Sequence, residues 1–391
     1  MKLSIFTAFA RSGAVALASL ALATSSLAQT VKLGMVNSLT GPHSTFDLPA
    51  SEGVLMAVDE INRRGGITVK GVKHTFSVVS EDAQSKPEFA VSGAQLLLRD
   101  DAIKIVYGIM TSGPGMAAAT VFGKNDVLYV GGFTLMDTIL GKPGSDKMFR
   151  TLNNDATVAR SFVPTSVKEM GLKKVGIMLP NEDVSRSIVA IYKPILEANG
   201  VQVPIVEYFQ PDTSDFAPVL RKFQNQGLDG MLTGTNDAMV EAILRQTTEL
   251  GNLPKKFMYR GGSGAPALKY AKQIDGFTWQ ILTRDLDNAS DPKVKGWMDR
   301  YKAFTKKDIS PNTYWALTYY DTVFMMARAI EEVGSTTDIK AITAKIKEMK
   351  YDGVRTMSFD KDGRAQSDID IGMLKNGKVT SVRASTQQLQ R

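Results

Sequence analysis

From residue 31 onward, short β-branched runs alternate with longer amphipathic ones, and this rhythm limits the possible folds more than any other feature of the chain. Val31-Lys32-Leu33-Gly34-Met35-Val36 reads as a strand. Residues 50–64 read as a helix, with Val54, Val58 and Ile61 at helical spacing and Gly65-Gly66 as its stop. Strands are expected at 74–80, 103–108 and 128–131, with helices at 87–99 and about 114–124 between them. The rhythm restarts at Val175. It gives strands at 175–179, 201–208, 229–233 and 256–259, and helices at 186–199, 216–226 and 238–250. Two such runs imply an α/β chain with two doubly wound, parallel-sheet lobes, each sheet covered on both faces by right-handed crossovers. Three further helices are expected at 292–305, 312–333 and 338–349. A terminal hairpin follows, turning at Asn376-Gly377. Asp360-Lys361-Asp362-Gly363 resembles the opening of a calcium loop but lacks the later ligands, so it reads as a turn.

Residues 1–28 have the layout of a secretory signal peptide. Lys2 and Arg11 are basic, an apolar stretch follows, and Ser26-Leu27-Ala28 supplies small residues for a cut. The apolar stretch is too short to span a bilayer. The mature chain is therefore expected in the periplasm, as a soluble protein of two ordinary domains. The formal net charge is +7, and Lys2 and Arg11 carry two of those charges. The remaining excess is spread along the chain, which argues against a nucleic-acid partner.

Several chemistries are missing. There is no cysteine, so disulfides, thiol nucleophiles and thiolate metal sites are impossible. His43 and His74 are the only histidines, and His74 falls in an expected strand. No Gly-x-x-x-x-Gly-Lys-Ser/Thr loop occurs, and no Gly-x-Gly-x-x-Gly follows the first strand. Gly261-Gly262-Ser263-Gly264 breaks the nucleophile-elbow pattern at Ala265. The expectation is a protein with no cofactor, no metal and no catalytic residue.

The polar signal gathers just past the expected strand ends, where open parallel sheets bind ligands. The first strand runs into Ser38, Thr40 and Phe46, the third into Thr111-Ser112, and the fourth into Gly131-Gly132-Phe133-Thr134. Hydroxyls and free N–H groups at a helix start suit a carboxylate. Two readings stand for Ser112 and Thr134: ligand binding, or helix and turn capping.

The order of Thr40-Gly41-Pro42, Asn62-Arg63-Arg64-Gly65-Gly66-Ile67, Gly108, Thr111-Ser112, Gly132-Phe133-Thr134 and Met148-Phe149-Arg150-Thr151 resembles the leucine/isoleucine/valine-binding family. These are type I periplasmic solute-binding proteins of ABC importers. The likeness continues through Asp215-Phe216 and Leu244-Arg245-Gln246 to Trp315 and Asp321, and so covers the mature chain. It implies two lobes joined by three crossing segments near 150–151, 280–283 and 354–357. Lobe one would be 30–150 plus 282–355, and lobe two 151–281 plus 356–391. It also implies a monomer that hands its ligand to a membrane permease.

By the same resemblance, the ligand carboxylate rests on Ser112 and Thr134, beside Thr111 and the backbone of Gly132. Phe46 matches a family tyrosine that lies over the ligand. The departures are in lobe two. The glutamate that pairs with an amino acid's ammonium is replaced by Gly261, directly after Arg260, whose charge would repel an ammonium. Asp183-Val184-Ser185-Arg186 replaces a Tyr-Gly motif, and Asn236 replaces an aromatic residue. The expected ligand is therefore a small organic carboxylate, aromatic or aliphatic, without an α-amino group. A branched-chain amino acid or amide is the alternative, and a periplasmic enzyme or a sensor component are rivals. Phe46 and Phe133 either flank the ligand body or belong to the core. Arg186 and Arg260 either clamp a second anionic or carbonyl group or, for Arg186, lie on the surface. Asp237 either reads a hydroxyl or caps the helix that follows it.

Overall fold

The structure is a computed structural model that describes residues 29–384 except 133, 211–212, 235–236, 262–263, 287–290 and 311. The expected leader, Phe133 and Asn236 lie outside the described residues, as do the side chains of Thr134, Asp183 and Val184.

The first sheet is built from β1 (Gln29–Asn37), β2 (Ile67–Val69), β3 (Val72–Asp82), β4 (Ile103–Gly108), β5 (Leu128–Gly131) and β6 (Met148–Arg150). Helices α1 (Ser44–Arg63), α2 (Pro87–Leu97) and α3 (Ser112–Phe122) connect them. The spatial order is β2-β3-β1-β4-β5-β6, and all pairs are parallel except the β2–β3 hairpin. The chain then runs through α4 (Asp155–Met170), β7 (Val175–Pro180), α5 (Asp183–Ala198), β8 (Val206–Phe209), α6 (Ala217–Phe223) and β9 (Gly230–Thr233). Next come α7 (Asp237–Leu250), β10 (Lys256–Tyr259), α8 (Ala265–Lys269) and β11 (Gly276–Ile281). Helices α9 (Pro292–Thr305), α10 (Tyr314–Val333) and α11 (Ile339–Glu348) precede a small antiparallel sheet of β12 (Lys350–Asp352), β13 (Thr356–Phe359) and β14 (Ala365–Ser367). The hairpin β15 (Ile369–Lys375) and β16 (Lys378–Ala384) completes the second sheet, ordered β16-β15-β11-β10-β9-β7-β8.

Each sheet is sandwiched. Against one face of the first, Val54, Trp297, Leu317 and Ile342 bring α1, α9, α10 and α11 into a single core. Against the other, Ala94 and Phe122 bring in α2 and α3. The second sheet packs Phe162 and Tyr192 of α4 and α5 on one side, and Leu220 and Ile243 of α6 and α7 on the other. Apolar burial on both faces explains why the parallel strands read as nearly continuous β-branched runs.

Several elements differ from the sequence reading. The helix after β1 begins at Ser44 rather than residue 50, because Asp47 turns inward and anchors its first turn. The strand expected over 201–208 shrinks to β8. Pro204 lacks an N–H for the ladder, so only Gln202 bridges to Lys174 before it. Strands β2, β6 and β11, helices α4 and α8, and the small sheet were not foreseen. The Asp360 stretch is a hairpin turn, in which the Asp360 carboxylate accepts the N–H groups of Asp362 and Arg364.

Three segments cross between the lobes side by side. Asn153 and Ser367 exchange hydrogen bonds at 2.7 and 2.8 Å. The Asp370 N–H donates to the Thr283 carbonyl, and the Asp370 carboxylate accepts from Arg284 at 3.1 Å. Arg355 is fully buried beside Asp321, which accepts the backbone N–H groups of Val354 and Arg355. Met357, Phe359 and Ala365 belong to the first core, so the stretch 356–367, given to lobe two by the resemblance, packs with lobe one.

Candidate functional site

Several of the residues singled out in the sequence, among those described, follow the C-terminal ends of strands in the two sheets. At the first edge, the loop after β1 is tied to β3: the Leu39 N–H and the Thr40 hydroxyl donate to Asp82 at 2.9 and 2.7 Å. Asp47 is fully buried and accepts the N–H groups of Ser38 at 2.9 Å and Met110 at 2.7 Å, so one carboxylate holds the loops after β1 and β4 together. Burial pushes its carboxyl above the usual aspartate range, and those two donors oppose the shift. Gly108 ends β4 where a Cβ would lie 1.8 Å from the Val36 carbonyl oxygen, so only glycine fits against β1.

Thr111 is the N-cap of α3, but its side chain makes no cap bond; its hydroxyl lies 3.2 Å from His43 Nδ1. Ser112 is the first residue of α3; in the turn that follows, Pro114 has no N–H and the Gly115 N–H donates to the Thr111 carbonyl at 3.0 Å. On the adjacent strand, Gly132 follows β5 and Thr134 opens a short 3-10 turn over Thr134–Thr138. Thr111, Ser112, Gly132 and Thr134 thus share one edge across β4 and β5. The Gly132 N–H points at the Ile109 carbonyl at 3.3 Å. A Cβ there would lie 2.3 Å from Met110 Sδ, so the Met110 side chain would have to move. Phe46 is half-buried and meets Trp315 edge-on, at 5.7 Å between ring centres and 89° between planes.

At the second edge, Arg260 follows β10 and is locked to Asp155, the first residue of α4, by Nε at 3.1 Å and Nη2 at 2.6 Å. Burial works against the guanidinium charge, but Asp155 offsets it and raises the Arg260 pKa above its usual value. This corrects the expected repulsion: the Arg260 charge is answered by a carboxylate that the sequence reading did not single out. Asp155 also acts on buried Arg150, which pairs with Asp137 at 3.0 Å, so the two ion pairs adjoin at the hinge. Asp237 opens α7, and its Oδ1 accepts the Tyr259 hydroxyl at 2.8 Å. Arg186 sits in the first turn of α5 and is exposed. It donates to Asn181 at 2.9 Å and lies 5.1 Å from the centre of the Tyr208 ring. The structure thus brings Asp237 and Arg260 to one edge with Asp155, and leaves Arg186 at the outer rim.

Asp155 and Tyr314 were not singled out in the sequence, and Trp315 entered only through the family likeness. Asn154 caps α4 through the Thr157 N–H, and the helix that Asp155 opens was itself not expected, so nothing local singled out the carboxylate. Tyr314 and Trp315 stack 4.4 Å apart at the start of α10, and the buried Trp315 indole N–H has no partner among the described residues. Among the described residues no group of three or more His, Asp or Glu side chains could hold a metal ion, and no helix is long and apolar enough to cross a membrane. The site can grip an anionic group with neutral donors on one side and offers a carboxylate–guanidinium pair on the other.

A family model described as periplasmic binding protein matches residues 30–378, and the chain belongs to that family. A Leu/Ile/Val-binding protein homolog from Brucella melitensis is 26% identical over 357 residues, covering 90% of this chain and 93% of that protein. Among solved structures, the branched-chain amino acid transporter substrate binding protein of Streptococcus pneumoniae, in complex with isoleucine, aligns with a TM-score of 0.67 and 21% identity over 91% of this chain and all of that one. A solute binding protein of an ABC transporter from R. palustris, in complex with 4-hydroxybenzoate, aligns with a TM-score of 0.66 and 20% identity over 91% and 97% of the two chains. The two-lobed α/β architecture is thus that of the type I periplasmic binding proteins.

Proposed function

We propose that this chain is the extracytoplasmic solute-binding component of an ABC importer and that its ligand is an α-amino acid with an apolar side chain. The lobe-one edge at Thr111, Ser112 and Thr134 takes the carboxylate, and Phe46 with Trp315 borders the side chain. The lobes close over the ligand, and contacts shared by both lobes stabilise the closed form that the permease accepts. No bond is made or broken, so the ligand leaves unchanged.

The observation that carries this reading is the Arg260–Asp155 pair. An ammonium buried without a counter-charge costs several kcal/mol. Gly261 supplies none, and Asp155 at the same sheet edge cancels the Arg260 charge, which removes the repulsion that would oppose an ammonium. The B. melitensis relative is named for leucine, isoleucine and valine, and the S. pneumoniae neighbour holds isoleucine, which supports the same ligand class.

A thermal-shift screen of the protein against amino acids, aromatic acids, aliphatic acids and oxo acids tests it, since stabilisation grows with ligand concentration over Kd. The expected result is a shift with branched-chain amino acids and recovery of the ligand unaltered. A second reading, a carboxylate lacking the amine, is favoured by Gly261 and by the 4-hydroxybenzoate in the R. palustris neighbour. Shifts with aromatic or aliphatic acids alone would select it. The periplasmic location is part of the proposal, and an exported protein beginning at Gln29 is its direct check.

A further inference from the structure

We propose that a pocket on the far side of lobe one is a second binding site, for a small organic anion with a flat body. The cavity measures about 230 Å³ and opens where the end of α1 meets α9, α10 and the segment around β12. It is lined by Arg64, Lys293 and Arg300 and by the rings of Tyr320, Phe324 and Tyr351. Arg64 follows the last turn of α1 and Phe46 lies in the first, so the two sites are on the order of 25 Å apart along the helix.

The charge of this corner is not balanced. Arg64 Nη2 donates to Glu60 Oε2 and Arg300 Nε to Glu60 Oε1, each at 2.9 Å, so one carboxylate serves two guanidiniums. The Tyr320 hydroxyl also donates to Glu60, at 2.8 Å. Lys293 pairs with Asp352 at 3.0 Å in an exposed bridge that water weakens. Asp321 forms the floor, but its oxygens accept the Val354 and Arg355 N–H groups, and buried Arg355 opposes its charge. Three wall cations therefore face the Glu60 and Asp352 carboxylates, leaving one positive charge in excess. Guanidinium forks suit planar oxygen pairs, and Arg64 already lies 5.2 Å from the centre of the Phe324 ring, so the walls favour a flat, carboxylate-bearing body. The Val354 carbonyl beside the pocket accepts from Arg284 Nη1 at 3.1 Å, and Arg284 bonds Asp370. An occupant thus sits one hydrogen bond from the hinge.

Calorimetric titration with phthalate at fixed ionic strength tests the site on the full chain. Saturable binding is expected, kept in Ser112→Ala and weakened by about tenfold or more in Arg64→Gln and in Arg300→Gln, each of which removes a charged donor from an exposed position. Thermal melts of each variant check that the fold is kept. Three results would overturn the proposal. They are the absence of saturable binding, unchanged affinity in both arginine variants, or loss of binding in Ser112→Ala, which would place phthalate in the cleft between the lobes.

Discussion

Past the edge of the first sheet lie hydroxyls and backbone groups, whereas past the edge of the second lie paired charges. Thr111 and Ser112 sit at a helix start held in place by buried Asp47, whose carboxylate is spent on the Ser38 and Met110 N–H groups. Across the hinge, Arg260 and Asp155 stand a quarter exposed and bonded to each other. The difference separates two tasks. Neutral donors grip an anion whatever else the ligand carries. A carboxylate–guanidinium pair discriminates, because its response depends on the charge brought to it.

Predictions can break or sharpen this contrast. The largest effect is expected from Asp155→Asn. It leaves the Arg260 charge without its carboxylate, so amino-acid affinity should fall by about 100-fold. Affinity for the matching acid without an amine should rise. Calorimetry on both ligands checks the two directions, and a parallel fall in both would assign Asp155 a purely structural role.

Ser112→Ala and Thr134→Val act on the other rim. Each removes one hydroxyl donor, and a loss of about tenfold is expected for amino acids and simple acids alike. Unchanged affinity in both variants would remove the anchor from lobe one.

The smallest effect concerns pH. Burial raises the Asp82 pKa, but hydrogen bonds from Thr40, Gln84 and Leu39 outweigh it, and the folded value lies below the ordinary 3.8. A lowered pKa means that this tie contributes stability above the unfolded value and loses it as pH falls through the folded one. Protection of the Leu39 and Thr40 amides, taken relative to their intrinsic exchange at each pH, should therefore hold at pH 5 and fall only below the ordinary 3.8. Protection that ignores pH over that range would detach the loop from Asp82.

Much of the scaffold was legible because its signals are local. The doubly covered strands announced themselves as β-branched runs. The Asn376-Gly377 turn was readable because both residues need a positive φ, and they adopt 52° and 70°. The lobe-one edge was readable too, since strand ends and helix starts adjoin in sequence. What was hidden is long-range. Asp155 and Arg260 stand 105 positions apart, and no local pattern announces their pairing. Arg260 read alone looked like a free charge that would repel an ammonium. The stretch 356–367 was misplaced for a similar reason. Its apolar residues Met357 and Phe359 say that it is buried, but only Phe149, 4.8 Å from Phe359 between ring centres, says against which lobe.

The account turns on whether the second lobe welcomes a positive charge. Titrating the protein with leucine and with 4-methylpentanoate, which has the same chain and carboxylate but no amine, asks that directly. Leucine should bind the more tightly by about 100-fold, the margin of a buried charge pair. Equal or tighter binding of 4-methylpentanoate, with no heat from leucine, would contradict it.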